Sequence, residues 1–308
     1  MTSLNAVGSA NKNNIIMTAN GKKYEKPGLA KTALGIVAAN VAAGMIMDGT
    51  GKLGNLYFKK INASVTDAQQ KAYKNVVDDV LIKSGLAQKG VTLVDITEEN
   101  KDTFKKIVYE DISPNLKRSL KEQPYVKEIF DKKVEKMTSM VAKGKQAYHF
   151  KSNNVITINK DKFSIAAFHE MGHAVNNFSK YGRMLNSLKG PASSLASLVL
   201  LTALFKRKKA DGENPEGWFD KTTTFIKNNC AALMFATQIP KLLDEGLTSI
   251  HGAKLTKNVL SPDNFKMLKK FQFSAWSTYL ATAVALSVGT VAASKIRDYI
   301  AKPEEIKQ

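Results

Sequence analysis

Uncharged, largely apolar runs alternate with lysine-rich stretches along this chain, and the run lengths predict where it can bury itself or cross a membrane. Runs of 16 residues cover 32–47 and 190–205, one of 13 covers 228–240, and one of 24 covers 271–294. As a helix the last reaches roughly 36 Å, enough to cross a hydrocarbon core about 30 Å thick. Trp276 and Tyr279 sit near one end of it, with Lys269 and Lys270 before and Lys295 and Arg297 after, as interfacial anchors would. The segment 271–294 is therefore expected to be a transmembrane helix, followed by a polar tail, 295–308. The segment 29–48 reads as a possible signal anchor, because a polar tail, 1–28, precedes it where a cleaved signal peptide would have a short charged region. The two middle runs, within 190–240, are expected to form an antiparallel pair. The basic tip Lys206, Arg207, Lys208 and Lys209 is costly to move through a bilayer, so this pair should pack against the rest or dip shallowly.

Between the first and second runs the periodicity changes. Thr66-Asp67 reads as a helix start, Ala72, Val76, Val77, Val80 and Leu81 make a 3.6-residue stripe, and Gly85 supplies a stop. Further helices are expected over 98–109 and 125–142, the latter ended by Gly144. Alternation over 91–96 predicts a strand, and short strands over 146–150 and 155–159 flank a turn at 152–154. The fold class is thus α+β, mainly helical with a small sheet, with a main domain over 54–265 that includes the apolar pair.

Charge changes this picture little. The formal net charge is +19, from 46 Lys+Arg against 27 Asp+Glu spread along the chain. Such a balance suits a membrane surface or nucleic acid, but no arginine cluster interleaved with aromatics marks a nucleic-acid face, and the bland alternative is a uniformly solvated lysine-rich surface. Membrane lipid, bound by the basic surface near the spans, is the expected partner, and nucleic acid is not. Cys230 is the only cysteine, which excludes an intrachain disulfide and a thiolate metal site.

Any metal must therefore be held by His, Asp or Glu, and two of the four histidines fall together in 166–175, AAFHEMGHAV. On a helix His169 and His173 project from one face, one turn apart, and can bind one ion; Glu170 then flanks that ion, where a carboxylate can take a proton from the attacking water. The bland alternative is an ordinary amphipathic helix with two histidines. A catalytic zinc needs a third protein ligand and an open position. Continuing past His173, Asn176 and Ser179 stand where a metzincin-type extension would have glycine and a further ligand. The remaining choices are His149, His251 or a carboxylate on a later helix, with Glu245 as the candidate. Pro240 suits a first-turn position, so a helix is expected to begin near it, with Glu245, Thr248, Ser249 and Gly252 on one face. His251 lies off that face and is the reserve ligand; His149 is expected to be a strand residue or a substrate-side hydrogen-bond donor.

The stretch FHEMGHAV (168–175), followed by EGLTS at 245–249, resembles the gluzincin metalloproteases, most closely their membrane-integrated branch, which includes CAAX prenyl endopeptidases and bacterial heat-shock membrane proteases. The resemblance covers about 146–255. It implies a zincin-like catalytic domain with membrane helices, Zn²⁺ held by His169, His173 and Glu245, Glu170 as general base, and a hydrophobic hairpin between the histidines and the glutamate. It also implies that Val155, Thr157 and Asn159 lie on an edge strand that pairs with a protein or peptide substrate. Two departures stand out: Ser249 replaces the aspartate many members carry four residues after the ligand glutamate, and a single apolar run precedes the catalytic region. The expected function is zinc-dependent endopeptidase action at the membrane; its rival is a membrane-anchored scaffold that keeps the zincin shape without turnover.

Overall fold

The computed structural model describes residues 14–307. In chain order the elements are β1 (Ile15–Met17), β2 (Lys23–Glu25), α1 (Leu29–Ala63), α2 (Asp67–Lys83), β3 (Thr92–Asp95), α3 (Asp102–Asp111), α4 (Pro114–Glu122), α5 (Pro124–Ala142), β4 (Tyr148–Phe150), β5 (Val155–Ile158), α6 (Lys160–Phe178), α7 (Lys180–Phe205), α8 (Gly217–Asn228), α9 (Cys230–Thr256), α10 (Pro262–Ile300) and β6 (Glu304–Glu305). The described residues are mainly helical with small sheets, as the periodicity predicts. They divide into two compact units: a motif unit, Gly54–Gly190 with Pro240–Leu280, and an apolar unit, Met1–Leu53 with Pro191–Ile239 and Ala281–Gln308.

In the motif unit a three-stranded sheet has the order β3-β5-β4, with β5 parallel to β3 and antiparallel to β4. Side chains alternate across it as the pleat requires. Ile156 and Ile158 join a core with Tyr73, Val77 and Val80 of α2, Ile165, Phe168 and Met171 of α6, and Phe271 of α10. Phe150 faces a second core with Phe104, Ile107 and Val108 of α3 and Val134 and Val141 of α5. The β4–β5 turn is closed by Asn154 in the left-handed region, at φ 55°, which asparagine tolerates better than most residues.

Local signals set most boundaries. Thr66 and Gln69 form a capping box at the start of α2. Helix α3 begins at Asp102 rather than near 98, because the Asn100 side chain accepts from Thr97 N–H and donates to the Asp95 carbonyl, holding 97–100 as a turn. Helix α4, not expected, carries a readable start: Ser113 caps Leu116 N–H, with Pro114 in the first turn.

Two expectations change. Helix α9 does not begin at Pro240 but runs through it from Cys230. Its earlier turns are held by packing of Cys230 and Met234 against Val199, Ala203 and Ile226, which outweighs the one hydrogen bond that proline removes. The pair 190–240 does pack together in this way, but its residues 191–239 group with the apolar unit, not with the motif-bearing region.

The apolar unit also holds a small sheet of order β1-β2-β6. Small residues let its helices meet: Ala39 and Ala43 of α1 pack with Leu204 and Ala293. Opposite that contact, α1 exposes Leu34, Val37, Val41 and Met45, and α7 exposes Leu195, Leu198, Leu201 and Phe205. Helices α1, α7 and α10 are each long and apolar enough to cross a membrane.

Two glycines test the local logic. Gly85 and Gly144 both have positive φ, at +75° and +68°, but a Cβ on Gly85 would meet only Gln88 Oε1, at an ordinary 3.9 Å, while one on Gly144 would lie 2.3 Å from Lys162 Cβ. Gly85→Ala should cost about 1 kcal/mol from backbone strain alone, and Gly144→Ala at least about 1 kcal/mol more from the clash. Denaturation midpoints in neutral detergent would check the difference; equal losses would mean the Lys162 contact relaxes freely.

Candidate metal centre

The motif helix is entered from β5 through Asn159, whose side chain accepts from Lys162 N–H at 2.9 Å and donates to the Ala142 carbonyl at 2.7 Å. Asp95 accepts from Lys160 N–H at 2.8 Å, so strand β3 also anchors the helix start. After non-helical backbone at Phe163, α6 runs buried through the motif.

Helix α9 crosses this segment at backbone distance. A Cβ on Gly172 would lie 2.1 Å from the Thr248 carbonyl oxygen, and one on Gly252 would lie 2.2 Å from that of Phe168. Only glycine permits the crossing. It brings Glu245 between the two histidines: Glu245 Oε2 lies 3.3 Å from His169 Nε2 and 3.4 Å from His173 Nε2. One ligand atom from each of the three residues falls within 4.8 Å of the others, a triad that could hold a metal ion.

The surroundings favour a cation. His173 Nδ1 lies 3.0 Å from the Thr248 hydroxyl and 3.9 Å from Asp244 Oδ2, which favours the proton on Nδ1. Its Nε2 then faces the Glu245 carboxylate, acceptor against acceptor, unless a second proton or a metal cation lies between them. Burial alone would lower the His173 pKa, but Glu245, Glu170 and Asp244 outweigh it and raise it. Glu245 is likewise pushed up by burial, yet the two histidines hold it below the usual carboxylate range. Two imidazole nitrogens and a carboxylate oxygen form a donor set suited to a divalent transition metal.

A second layer of side chains orients the first. Asn176 Nδ2 donates to Asp244 Oδ1 at 3.0 Å and to Thr248 Oγ1 at 2.9 Å, and Lys189 pairs with Asp244 at 2.5 Å. His251 Nδ1 bonds Asn176 Oδ1 at 2.7 Å, so the reserve ligand belongs to this outer layer. Ser249, one turn beyond Glu245 on α9, donates to the Gln272 carbonyl. Neither Asp244 nor Asn176 was expected to take part. Their signal was their spacing: Asn176 lies three residues after His173, and Asp244 adjoins Glu245.

A cavity of about 470 Å³ opens onto His169, Glu170 and His173, with Tyr148, His149 and Tyr279 among its walls. Burial raises the Glu170 pKa, opposed by the two histidines and, more weakly, by the nearby His149 backbone. Burial also lowers the His149 imidazole to about 4, leaving it neutral near pH 7, with Nε2 buried and unpartnered among the described residues. Tyr279 lines the same cavity and lies within electrostatic reach of Glu245 and Glu170.

The expected substrate strand is corrected here. Val155 and Thr157 lie on β5, the central strand, with both edges already paired, and Asn159 is the buried helix cap. The edge strand beside the cavity is β4. Compared with protein-family models, curated proteins and solved structures, the chain gives no significant match.

Elemental analysis after dialysis against trace metal should find one divalent ion per chain. His169→Ala, His173→Ala and Glu245→Ala should each lose it, Asp244→Asn should weaken binding by about 10–100-fold, and His251→Ala should keep it. Metal retained at full affinity by Glu245→Ala would remove Glu245 from the ligand set.

Proposed function

We propose that this chain is a zinc-dependent endopeptidase embedded in a membrane, similar in its site to the membrane-integrated gluzincins. The observation that carries the reading is the convergence of His169 Nε2 and His173 Nε2 on one oxygen of Glu245, with Glu170 beside them in the cavity wall. Zinc held by His169, His173 and Glu245 would supply a Lewis acid that lowers the pKa of a water molecule and polarises the substrate carbonyl.

The chain's own groups supply the rest. Glu170, its pKa raised by burial, takes a proton from the attacking water as the new C–O bond forms, and delivers it to the amine as the C–N bond breaks. Asp244 and Thr248 orient His173. Strand β4 is paired to β5 on one edge only, and its residues Tyr148 and His149 line the cavity, so an extended peptide could add there as a further strand. Main-chain pairing of that kind reads little side-chain sequence, so selectivity would come from the cavity walls.

The membrane part of the reading is supported by the exposed apolar stripes of α1 and α7, which have no protein partner among the described residues of their unit. Stripes of this extent mark lipid contact or a protein interface.

Glu170→Gln should keep the metal and lose peptide hydrolysis by about 10²–10⁴-fold, because the amide preserves shape but cannot accept the proton. Turnover on a peptide library, measured beside metal content, separates the two roles, and unchanged turnover would remove Glu170 from the mechanism. The wild-type chain should also stay in the membrane fraction after alkaline carbonate and high-salt washes, which release attachments held by charge alone. Recovery in the soluble fraction would make the long apolar helices core elements instead.

A further inference from the structure

A second pocket lies wholly within the apolar unit, far in sequence from the histidine motif. It is formed by the α7–α8 connection, α8 and the C-terminal end of α10. Its walls include Lys208, Lys227, Lys295 and Lys302, with Asp298 as the single acid and Thr224 beside them. Lys227 and Arg297 are only 7% and 2% exposed, and both reach the same oxygen, Asp298 Oδ1, at 3.0 and 3.3 Å. The backbone N–H of Lys208 donates to that oxygen as well, at 3.1 Å. Two buried cations thus share one carboxylate, an excess of positive charge that is costly out of water. Arg297 Nε and Thr224 Oγ1 are also buried with no partner among the described residues. Lys208, Lys295 and Lys302 are exposed and make no ion pair among the described residues.

We propose that this pocket binds the phosphate of an anionic phospholipid headgroup, a reading that rests on the membrane placement proposed above but not on any hydrolytic activity. A phosphate brings the missing negative charge and several acceptor oxygens to lysines and a hydroxyl that lack partners. A lipid is favoured over a soluble phosphate by what adjoins the pocket. Ser294, where the last apolar run closes, lines the pocket, and so does Arg207, just past the end of α7. Helix α8 turns Thr224 and Lys227 to the pocket while leaving Trp218, Phe219 and Phe225 exposed at 78%, 72% and 60%. An aromatic face beside a basic one is how a short helix sits at the headgroup level of a bilayer.

The full chain is reconstituted in phosphatidylcholine bilayers containing a minor fraction of either brominated phosphatidylglycerol or brominated phosphatidylcholine. Trp218 emission is taken as the difference between wild type and Trp218→Phe. Stronger quenching by the brominated phosphatidylglycerol at equal mole fraction is expected. Lys208→Gln, Lys295→Gln and Lys302→Gln should each reduce that preference by about fivefold and together abolish it; these side chains are exposed, so folding is not at stake. Equal quenching by the two lipids in the wild type, or a preference that survives the triple substitution, overturns the proposal. A preference erased by inorganic phosphate at matched ionic strength assigns the pocket to a free anion and overturns the lipid assignment. Quenching by neither lipid would instead count against the membrane placement itself.

Discussion

The candidate site depends on one backbone contact, the crossing of α6 over α9 at Gly172 and Gly252. A β-carbon at either position would lie about 2 Å from a carbonyl oxygen of the other helix, a distance no packing adjustment absorbs cheaply. Because the helices meet this closely, a short side chain such as Thr248 can reach His173, and Glu245 can lie between both imidazoles. The same closeness buries Asp244, Glu245, His169 and Asn176, so their polar atoms must find one another or a ligand. Asn176 is the hub that makes this possible, bonding Asp244, Thr248 and His251 at once.

The two units are built in different ways. The motif unit builds two aromatic-rich cores on either face of a small sheet. The apolar unit relies on alanine contacts between helices and leaves leucine and valine stripes outward. In its α7–α8 connection, Lys206, Arg207 and Lys209 are paired with Glu213 and Asp220. These pairs neutralise most of a basic tip that looked from the chain alone like an unbroken positive run, and the residual charge is concentrated around Asp298.

What the chain determined by itself was whatever depends on near neighbours. The i, i+4 histidine pair with its glutamate, the Thr66 start of α2, the turn at 152–154 and the length of the last apolar run were all legible, because caps, turns and helical periodicity act over a few residues. Glu245 was legible for a related reason, since a face of small residues one turn further on marks where a helix can approach closely.

The rest was decided by contacts between distant segments. Strand β5 looked like an edge until β3, from far earlier in the chain, paired with it and left β4 beside the cavity. Strand order is set by which backbone groups find partners, and alternation of side chains carries no trace of it. Pro240 read as a start but lies inside α9, because the packing of Cys230 and Met234 holds the turns before it. Asp244, Tyr279 and the shared Asp298 have ordinary local surroundings in the chain; only the tertiary structure gives them their charged neighbours, since electrostatic and hydrogen-bond partners are fixed by distance in space, not by spacing in sequence.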